Sequence, residues 1–291
     1  MAVIQQAAGV VLILLVPPLW PQLARSSWFL MCANFLPLYL LGLPAALAMT
    51  RRLPDLPAPA ARRLRPSRFA QLAFASMAAA YALNVFSQLL NLLIGSLKGS
   101  DVLNPLEQLM PEGSSPWVVL LFVVLLTPLF EEFVFRWLLY KKLAAFGAKT
   151  YILFSALVFA LYHGNFYQMF YAFALGLALA GLTYYTGSLR ASVALHLTVN
   201  LVGSGLPLLL DDFIGGDQLR LLAVDAVLVL IGVAGLISAA LLFSRRKELA
   251  LPPGACAPPS GKAVFANPGM AVLLLFLMGL TVFTVFAPTG A

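Results

Sequence analysis

From Tyr151 to Thr186 the chain runs 36 residues without an Asp, Glu, Lys or Arg. As one helix this stretch would measure about 54 Å, far more than the roughly 30 Å of a bilayer's hydrocarbon core. It must therefore turn back, and His163-Gly164-Asn165 is where the apolar run is interrupted. Shorter apolar runs flank it. Spans are predicted near Ala2–Trp20, Trp28–Met49, Phe69–Leu93, Trp117–Tyr140, Ala191–Leu210, Leu221–Phe243 and Met270–Phe286. With 62% hydrophobic and only 10% charged residues, the chain carries far more apolar surface than a water-facing fold can bury. The fold class that follows is all-α: a polytopic membrane helix bundle of eight to nine transmembrane helices. The count turns on the first run, which is broken by Pro17 and Pro18. That run lacks the basic n-region and cleavage site of a signal peptide, so a retained helix that spans or is partly re-entrant is expected.

Basic residues give the orientation. Arg51, Arg52, Arg62, Arg63, Arg65 and Arg68 fill one loop, Lys141, Lys142 and Lys149 a second, Arg190 a third, and Arg245, Arg246, Lys247 and Lys262 a fourth. All four fall on one side if nine spans alternate, which makes that side, and the N-terminus, cytoplasmic. The net charge of +7 is accordingly topological, and no nucleic-acid partner is expected. The Pro/Ala/Arg-rich loops at 50–67 and 251–268 read as flexible cytoplasmic linkers. Cys32 and Cys256 have neither metal-ligand spacing nor a disulfide framework.

Ionisable groups inside spans are costly and rarely idle. They are Glu131, Glu132, Arg136, His163 and His196, with Asp225 about one turn from a span end. Glu132 and Arg136 are four residues apart and share a helix face, so they can pair. Glu131 points about 100° away from Glu132 and is left for another helix or a wet cavity, where a carboxylate can act as a general base. Phe159 and His163 share a face, as do His196 and Asn200. Counted from the nearest basic residue, Glu131 lies about 15 Å deep, His163 about 21 Å, His196 about 9 Å and Asn200 about 15 Å. Three helices thus bring polar groups to one slab of the membrane. The plainer reading is polar glue between helices, and it suits Glu132 and Arg136 as well as a catalytic one does. Aromatic residues around these positions, among them Phe130, Tyr162 and Tyr171, read as ordinary packing. Ala172, Gly176 and Ala180 form a small-residue stripe for close helix contact.

Glu131-Glu132-xxx-Arg136, Phe159-xxx-His163 and His196-xxx-Asn200, in that order, resemble the three motifs of the CPBP (Abi) family. These are intramembrane glutamic endopeptidases related to the CAAX prenyl protease Rce1. The segment from Gly181 to Arg190 also looks like that family, and the resemblance runs from Leu121 to Gly203. It implies that Glu131 activates a water, that His163 orients it, and that His196 and Asn200 stabilise the oxyanion. Glu132, Arg136 and Phe159 would support the site. The implied reaction is hydrolysis of a peptide bond in a membrane-associated protein or peptide, with no cofactor beyond the catalytic water. On this reading the chain divides into N-terminal transmembrane helices with an Arg-rich cytoplasmic loop (1–94), a CPBP-like catalytic core (117–210) and C-terminal transmembrane helices (211–291).

Three other readings remain open. One Glu and two His make a three-ligand zinc set, although the H-E-x-x-H helix of zinc proteases is absent. A proton-coupled transporter could use Glu131, His163 and His196 as a relay, although no internal repeat is visible. A non-catalytic immunity or binding protein could keep the motifs without the reaction. The expected partners are a membrane-anchored peptide or protein substrate and the lipid bilayer. The expected location is the cell membrane.

Overall fold

A computed structural model of the chain describes residues 2–24, 26–105, 107, 115–213 and 217–287. Among the described residues there are nine long helices and no strand. They are α1 (Ala2–Leu19), α2 (Ser27–Thr50), α3 (Pro66–Lys98), α4 (Pro116–Phe146), α5 (Ala148–Tyr162), α6 (Phe166–Thr186), α7 (Leu189–Leu210), α8 (Asp217–Ser244) and α9 (Pro268–Phe286). Seven are long and apolar enough to cross a membrane; α1 and α5 are shorter apolar helices. The protein is an integral multi-pass membrane protein with an all-helical bundle. The long apolar run divides at His163–Asn165, as its length requires.

Helix α6 is the axis of the bundle and packs against α5, α3 and α7, while α8 lies on α3, α9 touches α5, and α1 lies on α2. The small-residue stripe makes the α5–α6 approach possible. Ala172, Gly176 and Ala180 are buried, and a Cβ on Gly176 would stand 3.0 Å from the Ala156 backbone and 3.3 Å from the Phe159 ring. Between helices without water, this kind of close fit replaces the hydrophobic drive that holds soluble cores together.

Three helices are not regular. Wide π-helical turns occur at Leu38–Gly42 in α2, Leu120–Leu126 and Glu132–Leu138 in α4, and Leu201–Gly205 in α7. Three of them end two residues before a proline: Pro44, Pro128 and Pro207. A proline inside a helix has no N–H to offer and crowds the carbonyl four residues back. A widened turn relieves the crowding and rebonds the backbone one residue further on. The fourth turn has no proline. Its carbonyls are taken up from outside, where Ser155 Oγ donates to Phe135 O at 2.6 Å and the Tyr151 hydroxyl donates to Arg136 O at 3.1 Å.

The two linkers expected to be flexible are instead tied to the bundle. Leu56 N–H donates to Lys141 O and Arg62 N–H to Tyr185 O, both at 2.8 Å, and Cys256 N–H donates to Ala145 O at 2.8 Å. Those acceptors sit in the last turns of α4 and α6, where carbonyls have no partner within the helix. The linkers therefore act as C-terminal caps. The Tyr184 hydroxyl adds a bond to Pro252 O at 3.0 Å, and Asp55 accepts from Lys142 Nζ at 2.6 Å. That hydrogen bond holds the exposed Asp55 carboxyl below its ordinary range, so the contact is present above the usual carboxylate range and is lost as pH falls through the lowered value. Asp225, expected about one turn from a span end, sits exposed further along α8, because the helix already begins at Asp217.

Replacing Gly176 with Val should force α5 off α6 at a cost of about 1–3 kcal/mol. The expected result is a thermal midpoint lower by several degrees in detergent. An unchanged midpoint would show that the two helices do not depend on this contact.

Candidate active site

The site is assembled by three helices. Glu131 and Glu132 are consecutive on α4, at the junction between a regular turn and the wide turn that starts at Glu132. Phe159 and His163 come from the end of α5, and His196 and Asn200 from α7.

The vertex between α5 and α6 is built from local sequence. Gly164 takes a left-handed conformation (φ +63°), which stops α5 as glycine commonly does after a helix C-terminus. Asn165 then caps α6, its Oδ1 accepting from Gln168 N–H at 2.9 Å while its Nδ2 donates to His163 O at 2.7 Å. Thr284 Oγ of α9 donates to Gly164 O at 3.3 Å. The break in the apolar run is thus a paired, buried turn, as irregular backbone at this depth must be.

Glu131, Phe159, His163, His196 and Asn200 all line one cavity of about 210 Å³. Glu132 and Arg136 lie behind its wall and are fully buried. Glu132 Oε1 is 2.9 Å from His196 Nδ1 and 3.4 Å from Arg136 Nε. His196 also reaches the other glutamate, with Nε2 3.6 Å from Glu131 Oε2. The imidazole therefore stands between two carboxylates, one behind the wall and one on the cavity. A His Nδ1–H donated to a carboxylate directs the ring and leaves Nε2 for the cavity.

Among the described residues none of the Arg136 guanidinium nitrogens has a hydrogen bond. Its charge is met instead by Glu132 and by the Phe159 ring, whose centroid is 4.0 Å from the guanidinium carbon. A desolvated cation over an aromatic face is favourable. Phe159 also meets His163 edge to face at 4.9 Å and His196 at 5.8 Å. It is the spacer that fixes both imidazoles relative to Arg136.

His163 Nδ1–H donates to Phe159 O at 2.9 Å, which leaves Nε2 free to accept a proton or a hydrogen bond. Asn200 Nδ2 donates to Val123 O at 2.9 Å, a carbonyl in the first wide turn of α4. That bond orients the amide and leaves its second N–H.

All seven residues singled out from the sequence come together here, five on the cavity and two supporting it. Pairing of Glu132 with Arg136 is present. The direct bond from His196 to Glu132 was not foreseen, because nothing in sequence spacing relates positions on different helices. Also unforeseen are Gln5 and Gln6 of α1 and Asn34 of α2 on the cavity wall. Two adjacent carboxamides in an otherwise apolar run were the available signal. Among the described residues no group of three or more His, Cys, Asp or Glu side chains is placed to hold a metal ion.

Fold and site together define a class first: a multi-pass helical membrane protein with a carboxylate and two imidazoles facing one cavity. Residues 113–202 match the family model described as Rce1-like, the type II CAAX prenyl endopeptidases. The match supports a membrane protease of the CAAX/CPBP type, and it contains every one of the seven site residues. No curated protein and no solved structure matches the chain.

Glu132 and Glu131 should part company when neutralised. Glu132→Gln leaves Arg136 buried without its counter-charge, a loss of about 3–5 kcal/mol. Glu131→Gln should stay within about 1 kcal/mol of the parent. Thermal unfolding of the two variants in the same detergent checks this, and equal midpoints would contradict the supporting role of Glu132.

Proposed function

We propose that the protein is an intramembrane endopeptidase that hydrolyses a peptide bond of a membrane-associated protein or peptide with a glutamate-activated water. The observation that carries this reading is the single cavity shared by Glu131, His163, His196 and Asn200.

In the proposed reaction a water lies between Glu131 and His163. Glu131 takes a proton from it as the oxygen attacks the scissile carbonyl. His163, its Nδ1–H held by Phe159 O, accepts a hydrogen bond from the same water through Nε2 and keeps it on line. The tetrahedral oxyanion is met by His196 Nε2–H and the second Asn200 N–H. Glu132 holds the His196 ring through Nδ1, which directs Nε2 at the oxyanion. Glu131 then passes its proton to the departing amine, which balances the reaction: one water is consumed, one carboxylic acid and one amine are formed, and Glu131 returns to its carboxylate.

The end of the bundle carrying the Arg-rich linker is taken as cytoplasmic, from its basic residues. A CAAX-type lipidated C-terminus is one substrate consistent with the family match, and other membrane-anchored peptides are equally so.

The test is cleavage of a library of tagged membrane-anchored peptides by protein in liposomes. Glu131→Gln is expected to lower the rate by at least about a thousandfold and His163→Ala by about a hundredfold or more, with a strong chelator leaving the parent rate unchanged. Loss of cleavage with chelator and its return with zinc would replace this mechanism by a metal-dependent one. Full activity in Glu131→Gln would remove Glu131 from the reaction.

A further inference from the structure

Helix α1 has only two polar side chains, Gln5 and Gln6, and both lie on the wall of the cavity that holds Glu131. The rest of α1 is apolar, and Val10 and Leu14 are exposed on it. Gln5 is fixed at both ends of its carboxamide. Its Nε2 donates to Asn34 O at 3.2 Å, and its Oε1 accepts from the Tyr162 hydroxyl. Those partners set its level. Asn34 lies roughly 24 Å along α2 from Thr50, and Tyr162 roughly 21 Å along α5 from Ala148. The polar end of α1 therefore stands at the depth of His163 rather than at a membrane surface. Gln6 makes no hydrogen bond among the described residues, is exposed, and lies on the cavity wall.

A neutral carboxamide at this depth is unfavourable unless it finds a partner. What it offers is particular: one side chain with both a donor and an acceptor, and no charge. An extended peptide segment drawn into the membrane has the complementary need. Each residue arrives with one N–H and one C=O unpaired, and no lipid can satisfy them. Gln6 supplies such a pair outright, and Gln5 keeps a second N–H and a second lone pair beyond its bonds to Asn34 and Tyr162; neither depends on the identity of the peptide's side chains.

We propose that Gln5 and Gln6 form a peptide-backbone binding wall, which holds the substrate as an extended strand against Glu131. The Gln5–Tyr162 bond ties that wall to α5. This rests on the endopeptidase reading but assigns new residues, in a helix that the family match does not reach.

The experiment uses the full chain carrying Glu131→Gln, in nanodiscs, so that binding is read without turnover. The probe is a pool of fluorescein-labelled apolar heptapeptides of mixed sequence, compared with the same pool N-methylated along the backbone. The unmethylated pool is expected to bind about tenfold more tightly than the methylated one. Gln5→Leu with Gln6→Leu is expected to remove that difference. Gln6→Leu alone leaves Gln5 on Asn34 and Tyr162 and should remove part of it, about three- to fivefold, which separates lost recognition from a displaced helix. Equal binding of the two pools, no effect of either variant, or no binding at all would overturn the proposal. Cleavage of the same pool by the chain with Glu131 intact reads the endopeptidase separately. Backbone-dependent binding without cleavage keeps the wall and removes the protease. Cleavage with binding indifferent to Gln5 and Gln6 does the reverse.

Discussion

One carboxylate oxygen holds the centre of this protein together. Glu132 Oε1 faces His196 Nδ1 of α7 at 2.9 Å and Arg136 Nε of its own helix at 3.4 Å. Arg136 in turn lies over Phe159 of α5. All of these groups are buried, so each charge is costly alone and tolerable only with the others. The three helices that carry the cavity's reactive groups are thereby set relative to one another from behind the wall. The cavity side of Glu131 is left unencumbered for chemistry.

The backbone is adapted to the same end. The wide turns beside Glu132 and after Asn200 shift side chains from where a regular helix would aim them. Carbonyls in the α4 turns are paired by groups from neighbouring helices: Val123 O by Asn200, Phe135 O by Ser155 and Arg136 O by Tyr151. Function and packing thus share hydrogen bonds. At the other end of the bundle, linker amides from Leu56, Arg62 and Cys256 close the last turns of α4 and α6.

Much of this was legible in the residues because a bilayer permits so few solutions. Length alone required the turn at Gly164, and rarity alone singled out Glu131, Glu132, Arg136, His163 and His196. Glu131, His163 and His196 share one cavity, with Glu132 and Arg136 behind its wall. Other features needed three dimensions. Prolines 44, 128 and 207 are plain in the sequence, but whether a proline kinks a helix or widens it depends on what can take up its freed carbonyl. The bond between His196 and Glu132 depends on the crossing of α7 over α4. The linkers looked flexible from composition, which counts Pro and Ala but not the orphan carbonyls waiting at two helix ends. Gln5 and Gln6 do not stand out in α1 because the helix is apolar on average, and only the contacts of Gln5 with Asn34 and Tyr162 set them at the cavity.

The central claim is that Glu131 activates water and does not itself attack. A single-turnover reaction in ¹⁸O-labelled water, quenched and read by mass spectrometry of both product and protein, tests it most directly. The account predicts one ¹⁸O atom in the new carboxylate of the product and none in the peptide containing Glu131. Label in the Glu131 carboxylate would mean a covalent anhydride had formed there and been hydrolysed, and would contradict the account.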